Sequence, residues 1–448
     1  MAPDIREQLH RAAHDPRDDL DPAALRRRVG QLRRRRAGSA VAVAALLVLL
    51  VPLGRAGLER LRDPAGAVDR PSGPVATSPA RPATPTTAPA ATTATGRAIR
   101  PARLGTPGQA ADALARLPNG WTDLPRPPGP RARGVSLWIG NALFFWGGDS
   151  GNAGTSYASG WLFDPVARRW HAITRAPLAV RSLAAAVWTG DEVLVWGGFA
   201  RGAMFADGAA YDPATGTWRV LPPAPLSARA PVATVWTGTE MIVWGSTSRN
   251  QPGARDGAAF DPRSNRWRAI AAAPVALNLA GWPSPSTVWT GREMLVIGSL
   301  LDNNNAATLP DATGLAYDPA TDTWRKLPSV RLSPQASAAA WTGSGVLALD
   351  YERRAAFYDP RRNAWRRLPG PPVEACEAAP DLAATGGVAL AQGCGYALWD
   401  DDAGRWVKVE PKVGNGSGRI VAAGPVFLIA GATHESSANG LVAYNPGA

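Results

Sequence analysis

The sequence predicts an all-β domain in which seven four-stranded sheets close into a ring, and three observations carry that prediction. An aromatic-Asp-Pro step, or a close variant, is followed six residues after the Asp by Trp, at Asp164/Trp170, Asp212/Trp218, Asp261/Trp267, Asp318/Trp324, Asp359/Trp365 and Asp400/Trp406. The Asp residues lie 48, 49, 57, 41 and 41 residues apart, the period of one blade of a β-propeller and not of helical repeats. Each unit also divides into four segments of strand character between turn signals. Finally, the chain ends "LVAYNPGA", with Tyr444-Asn445-Pro446 but no Trp after it, while "WTDLP" at Trp121 has the form of "WRVLP" at Trp218. Pairing these two ends gives six whole blades and one composite blade, and removes the open sheet edges at the seam.

Taken in order, residues 1–36 are an Arg-rich segment with ten Arg against six acids. Within it Asp21 and Pro22 start a short helix carrying Leu25, Val29 and Leu32 on one side. Residues 37–54 contain "AGSAVAVAALLVLLVPL", uncharged for 17 residues and long enough to span a bilayer as a helix. Because "LRRRVGQLRRRR" abuts its N-terminal side, the positive-inside rule keeps the N-terminus in the cytoplasm and sends the rest across. The alternative is a cleaved signal peptide, against which stand the long leader and the lack of an Ala-x-Ala site. Residues 55–117 are a Pro-, Ala- and Thr-rich linker with little to bury, expected to be disordered apart from a short helix in "PGQAADALARLP". All 33 aromatic residues lie at or after Trp121, so the packed domain is placed at 118–448.

Within a blade, "SLAAAVW", "EVLVWGG", "DGAAYD" and "TWRVLP" read as strands one to four of the second unit. The first is made of small residues, which suits the crowded axis, and the aromatic residues suit the wider spaces between blades. Turns such as "TGDE" place Gly where a hairpin needs positive φ, and "DPATGT" places Asp to accept bonds from turn backbone N–H groups. The six repeated Asp residues are therefore structural and are discounted as acids.

The double glycines Gly147-Gly148 and Gly197-Gly198, the third-strand aromatic and the following Trp resemble the kelch repeat, including the central domain of galactose-oxidase-like proteins. The later blades depart from it at Gly245-Ser246, Gly298-Ser299 and Leu349-Asp350. In antiparallel blades the first-to-second and third-to-fourth turns share one face, here called the short-turn face. The second-to-third loops and the crossovers between blades share the other, the long-loop face. Its loops are long and varied, and it is the expected binding surface.

Three crossovers carry an Arg seven residues before the first-strand Trp: Arg131, Arg181 and Arg229, with Trp282 at the corresponding place in the fourth blade. The kelch resemblance implies ligand or partner contact at these arginines; the alternative is pairing with a neighbouring blade or a loop carbonyl. His434 and Glu435 complete the candidate ligand-binding set. No catalytic set is assembled, since copper-radical oxidases of this fold need a His and Tyr cluster and the domain has only His171 and His434. Asp302 and Asp311 match no calcium loop, and neither metal nor cofactor is expected. Cys376 and Cys394, with 17 residues between them, form a disulfide if the domain lies outside the membrane, and stay reduced if it does not.

The net charge of +12 does not make a nucleic-acid-binding domain, because residues 117–448 hold 29 Lys and Arg against 26 Asp and Glu. The expected protein is a single-pass membrane protein of a bacterial envelope whose extracytoplasmic propeller binds an envelope glycan or protein. The alternatives are a carbohydrate-active isomerase or lyase at the channel mouth, and a sensor signalling through the cytoplasmic segment.

Overall fold

The structure, a computed structural model, describes residues 101–448 apart from 130, 151–154, 246–253, 279–285, 301–312, 334–336, 351, 374–379, 394, 411–417, 432–439 and 448. The segments expected at 1–36 and 37–54, and most of 55–117, lie outside the described residues. Among the described residues no helix is long and apolar enough to cross a membrane.

Seven antiparallel sheets stand around one axis. In blade two the strands are Ala185–Trp188, Val193–Trp196, Gly208–Asp212 and Thr217–Val220, matching the four segments read from the sequence. The first strand of every blade lies beside the first strands of both neighbours, so the ring is closed. Blade seven is composite: Arg419–Ala423, Val426–Gly431 and Gly440–Asn445 take the closing strand Gly120–Leu124 as their fourth member, in the register Trp121↔Tyr444. Blade four adds Leu277–Asn278, which pairs with Ser299 and Leu300 and makes that sheet five-stranded. Its second strand, Met294–Leu300, is long enough to take this partner beyond the end of the first strand.

Seven apolar clusters lie between adjacent blades, one at each junction. Second strands such as "VLVW" are buried along their whole length because both their faces meet a neighbouring blade. That is why they read as unbroken apolar runs and not as alternating ones. Each fourth-strand Trp is half-buried and donates its indole N–H to a carbonyl just after the fourth strand of the preceding blade. The bonds are Trp170 to Pro125 (2.7 Å), Trp218 to Thr174 (3.0 Å), Trp267 to Pro222 (3.0 Å), Trp324 to Ala271 (2.7 Å), Trp365 to Pro328 (3.1 Å), Trp406 to Pro369 (2.9 Å) and Trp121 to Glu410 (2.8 Å). Seven bonds of about 0.5–1.5 kcal/mol each thus run around the ring, including across the composite seam.

The repeated Asp residues do what the turn chemistry predicts. Each of the six accepts at least one backbone N–H of its own turn, for example Asp164 from Val166 at 2.8 Å and Asp212 from Ala214 at 2.7 Å.

The folded unit starts earlier than the aromatic residues imply. Helix α1, Pro107–Ala115, is capped by Thr106 and Gln109 in a reciprocal pair of bonds, and it buries Ala110 and Leu114. Leu114 joins the cluster between blades seven and one. Ahead of it, the Gly105 carbonyl accepts from Asn141 at 2.9 Å, and Pro101 lies against Gly216 of blade two. Residues 101–117 therefore form a strap across the short-turn face of blades two, one and seven.

Asn445 stands where six blades have Asp, and the strap explains it. Its Oδ1 accepts from Gly447 N–H at 3.0 Å as an Asp would, but its Nδ2 donates to the Leu117 carbonyl at 2.7 Å. A carboxylate has no such donor. Asn445→Asp is expected to cost about 1–3 kcal/mol by leaving two oxygens facing each other in a buried site, read as a lower denaturation midpoint with an unchanged slope.

Candidate functional site

The crossover arginines are where sequence and long-loop face meet. At the end of the second strand, Gly147 and Gly148 have φ of 71° and 83°. A side chain on Gly148 would meet the Ala132 carbonyl at 2.6 Å, and one on Gly147 the Arg181 carbonyl at 2.9 Å. The absence of side chains lets the next crossover dock: Gly148 N–H donates to Arg181 O at 2.9 Å, and Gly198 N–H to Arg229 O at 3.3 Å. Each of these two arginines is thus held by its main chain on the preceding blade.

Their side chains turn the other way, into their own blades. Arg181, 0% exposed, donates from Nη1 to Gly197 O (3.0 Å) and Asp207 Oδ1 (2.8 Å), from Nη2 to Asp207 Oδ2 (3.1 Å) and from Nε to Ala179 O (3.0 Å). Its guanidinium lies 4.1 Å from the centroid of Phe205. Arg229, 2% exposed, forks onto Asp256 at 2.9 and 3.0 Å and donates to Ser227 O and Oγ. In both pairs the carboxylate side chain is about half exposed, 51% for Asp207 and 54% for Asp256. A buried cation here fixes a carboxylate at the long-loop face.

Blade one is built differently. Arg131, 6% exposed, donates to Gly147 O (3.1 Å), Ser159 O (2.8 Å) and Ser159 Oγ (2.8 Å), with Ser159 where the other two blades have Asp. Among the described residues no carboxylate bonds it. The half-buried rings of Tyr157 and Trp161 lie 4.0 and 4.2 Å from its guanidinium carbon. Burial pulls the pKa of this guanidinium down to about 10, with Tyr157 acting in the opposite direction. The blade's own carboxylate, Asp149, is buried and is held by Nε and Nη2 of Arg133 at 2.5 and 2.6 Å.

Arg133, Asp149, Asp207 and Asp256 were not singled out from the sequence, though a signal for two of them is present. "ADG" and "RDG" open the third strands of blades two and three, whereas blade one has "ASG" and blade four, which lacks the Arg, has "ATG". Of the other candidates, His434, Glu435, Cys376, Cys394, Asp302 and Asp311 lie outside the described residues. His171 is on the fourth strand of blade one, accepting from Arg169 Nε at 3.2 Å. Burial, and then Arg169, lower its pKa. Among the described residues no group of three or more His, Cys, Asp or Glu is arranged to hold a metal ion.

Asp256 gives this site a pH dependence. Its carboxyl lies below the usual range, chiefly because Arg229 hydrogen-bonds to it, against an opposing effect of burial. A carboxyl depressed in the folded state adds stability above its unfolded value near 3.8, and that stability is lost as pH falls through the lower folded value. A part of the stability is therefore expected to be lost below pH 4, and Asp256→Asn should flatten the dependence in that window when denaturation midpoints are compared.

A family model described as the KLHDC2/KLHL20/DRC7 Kelch-repeats domain matches residues 127–344. That span runs from the entry into blade one to the start of blade five, and all seven blades share the four-stranded antiparallel form. Residues 127–344 match kelch repeats, within a seven-bladed β-propeller. Among solved structures this kelch propeller is similar to one titled "Structure of YjhT", at 16% identity, covering 71% of this chain and 95% of that one with a TM-score of 0.45. No curated protein matches the chain. The three crossover arginines lie within the matched residues, so the kelch repeats themselves carry the built part of the long-loop face.

Proposed function

We propose that the kelch propeller is a binding module, displayed outside the cell by a membrane-spanning helix at 37–54, that holds an envelope glycan or protein on its long-loop face. One observation carries the placement of the ligand. Arg181 and Arg229 have their forks filled by Asp207 and Asp256, but Arg131 keeps a buried charge that no carboxylate among the described residues bonds. An anionic group of the ligand would supply at Arg131 what the chain supplies to itself in the next two blades. The half-buried rings of Tyr157 and Trp161 offer apolar faces beside it. Arg181 and Arg229 then act by positioning Asp207 and Asp256, and His434 and Glu435 remain ligand candidates on the last blade's loop. The Arg-rich residues before the apolar run, and the capacity of kelch propellers for interaction, support the same reading.

The fragment Ala94–Ala448, a compact unit by its contacts, is the probe. Incubated with solubilised envelope material, it should retain a component that Arg131→Gln loses and that Arg175→Gln retains. Retention of nothing, or equal retention by Arg131→Gln, would sink the proposal. Protease digestion of intact cells tests the topology separately: the propeller should be cut from outside.

A further inference from the structure

Charge is unevenly spread around the ring. Residues 351–370 hold six Arg against two acids, although the 332 residues from 117 onward are close to neutral. Blade five places Arg361 and Arg362 in the turn between Ala355–Asp359 and Ala364–Leu368, and Arg366 and Arg367 on the fourth strand itself; all four are exposed. Arg366 is paired with Phe357 and Arg367 with Ala356, so successive side chains leave opposite faces of the sheet. The positive charge therefore wraps the blade's outer edge. Arg362 meets Asp359 at 2.9 Å, while Arg361, Arg366 and Arg367 have no carboxylate partner among the described residues.

Guarding an edge strand against pairing takes a charge or two, and blade six does it with Lys408 beside Glu410 at 3.1 Å. Blade five instead carries four guanidinium groups on one turn and the strand that follows it, and their mutual repulsion is relieved when anions lie against them. The aromatic rings here are not free to stack on bases. Trp365 and Phe357 are turned into the clusters on either side of the blade. That removes the stacking platform single-stranded nucleic acids use. An edge charged on both faces suits a flexible chain that can follow both faces more than a flat bilayer that meets one.

We propose that the outer edge of blade five, through Arg361, Arg362, Arg366 and Arg367, docks an acidic polysaccharide. This site is separate from the long-loop face and does not rest on the function proposed for it. The positive charge of the edge attracts carboxylate and sulfate groups alike, so the two sources are separated by probe: polyuronate for one, heparin for the other.

The test uses the full chain in detergent, since the Arg-rich residues 1–36 then contribute equally to every variant. The four arginines are changed together to Gln, and in a matched control Arg175, Arg201, Arg263 and Arg266 are changed to Gln. At about 50 mM salt the blade-five variant should bind polyuronate or heparin at least tenfold more weakly, and the control within twofold of the parent. Its slope of log affinity against log salt should shrink by about two to three, as fewer counterions are released. Changing the same four to Lys should keep affinity within threefold, which guards against a folding defect in the Gln variant. Equal losses in both Gln variants, no binding to either polymer, Lys behaving as Gln, or stronger binding to single-stranded DNA than to both polysaccharides would each overturn the proposal.

Discussion

A chain that begins at residue 126, with the strap and closing strand removed, is expected to yield no folded monomer. Its loss exposes Gly440–Asn445 as an open edge along five paired positions, a template for association with other copies. It also removes Trp121, whose ring lies 4.8 Å from Tyr396 and 4.9 Å from Tyr444 and whose N–H reaches Glu410 O across the junction with blade six. Trp121→Ala alone should cost about 3–5 kcal/mol, as for other large-to-small changes in packed sites. Size-exclusion chromatography should show aggregate for the truncated chain, and a peptide of residues 101–125 added during refolding should restore some monomer. A truncated chain that stays monomeric with an unchanged melting temperature would mean that six blades and three strands are enough.

Arg181→Met should be the most destabilising substitution on the long-loop face, at about 3–5 kcal/mol for breaking a buried ion pair. The lower end is expected because Asp207 is half exposed and its freed charge can be hydrated. The loss has a second part: Arg181 stacks on Phe205 and bonds Gly197 O, so the root of the blade-two loop loses its plug. Arg131→Met should cost less, because it orphans no carboxylate among the described residues, and should instead weaken ligand retention. Urea unfolding of Arg181→Met, Asp207→Asn and the double variant would isolate the pair. A coupling near zero would show that packing alone, and not charge, holds the loop.

Much of the fold was legible because each blade repeats one local solution. The Asp of the third-to-fourth turn, the Trp six residues later and the small first strand recur often enough to give the blade count and even the composite seam. The strap was harder to place. It contains no aromatic residue, and Leu104 and Leu114 are isolated apolar positions in a Pro- and Ala-rich context, whose value appears only when they cover the junctions of blades one and two and of seven and one. The arginines were visible as candidates, but the direction of their side chains was not. Spacing puts Arg181 near the loops of two blades at once, and the choice between them depends on Asp207, 26 residues on, in a loop whose length differs from those of blades one and three. Blade one looked equivalent to its neighbours until Ser159 was seen in the place of the Asp.

The bond from Asn445 to Leu117 joins residues 328 apart in the chain. During synthesis at about 5–20 residues per second, the strand Gly120–Leu124 waits roughly 15–65 s for its partner Gly440–Asn445 to be made. Tyr396 and Glu410 are made before Tyr444, so the Trp121 indole can reach blade six first, and its packing is completed only when the last strand arrives.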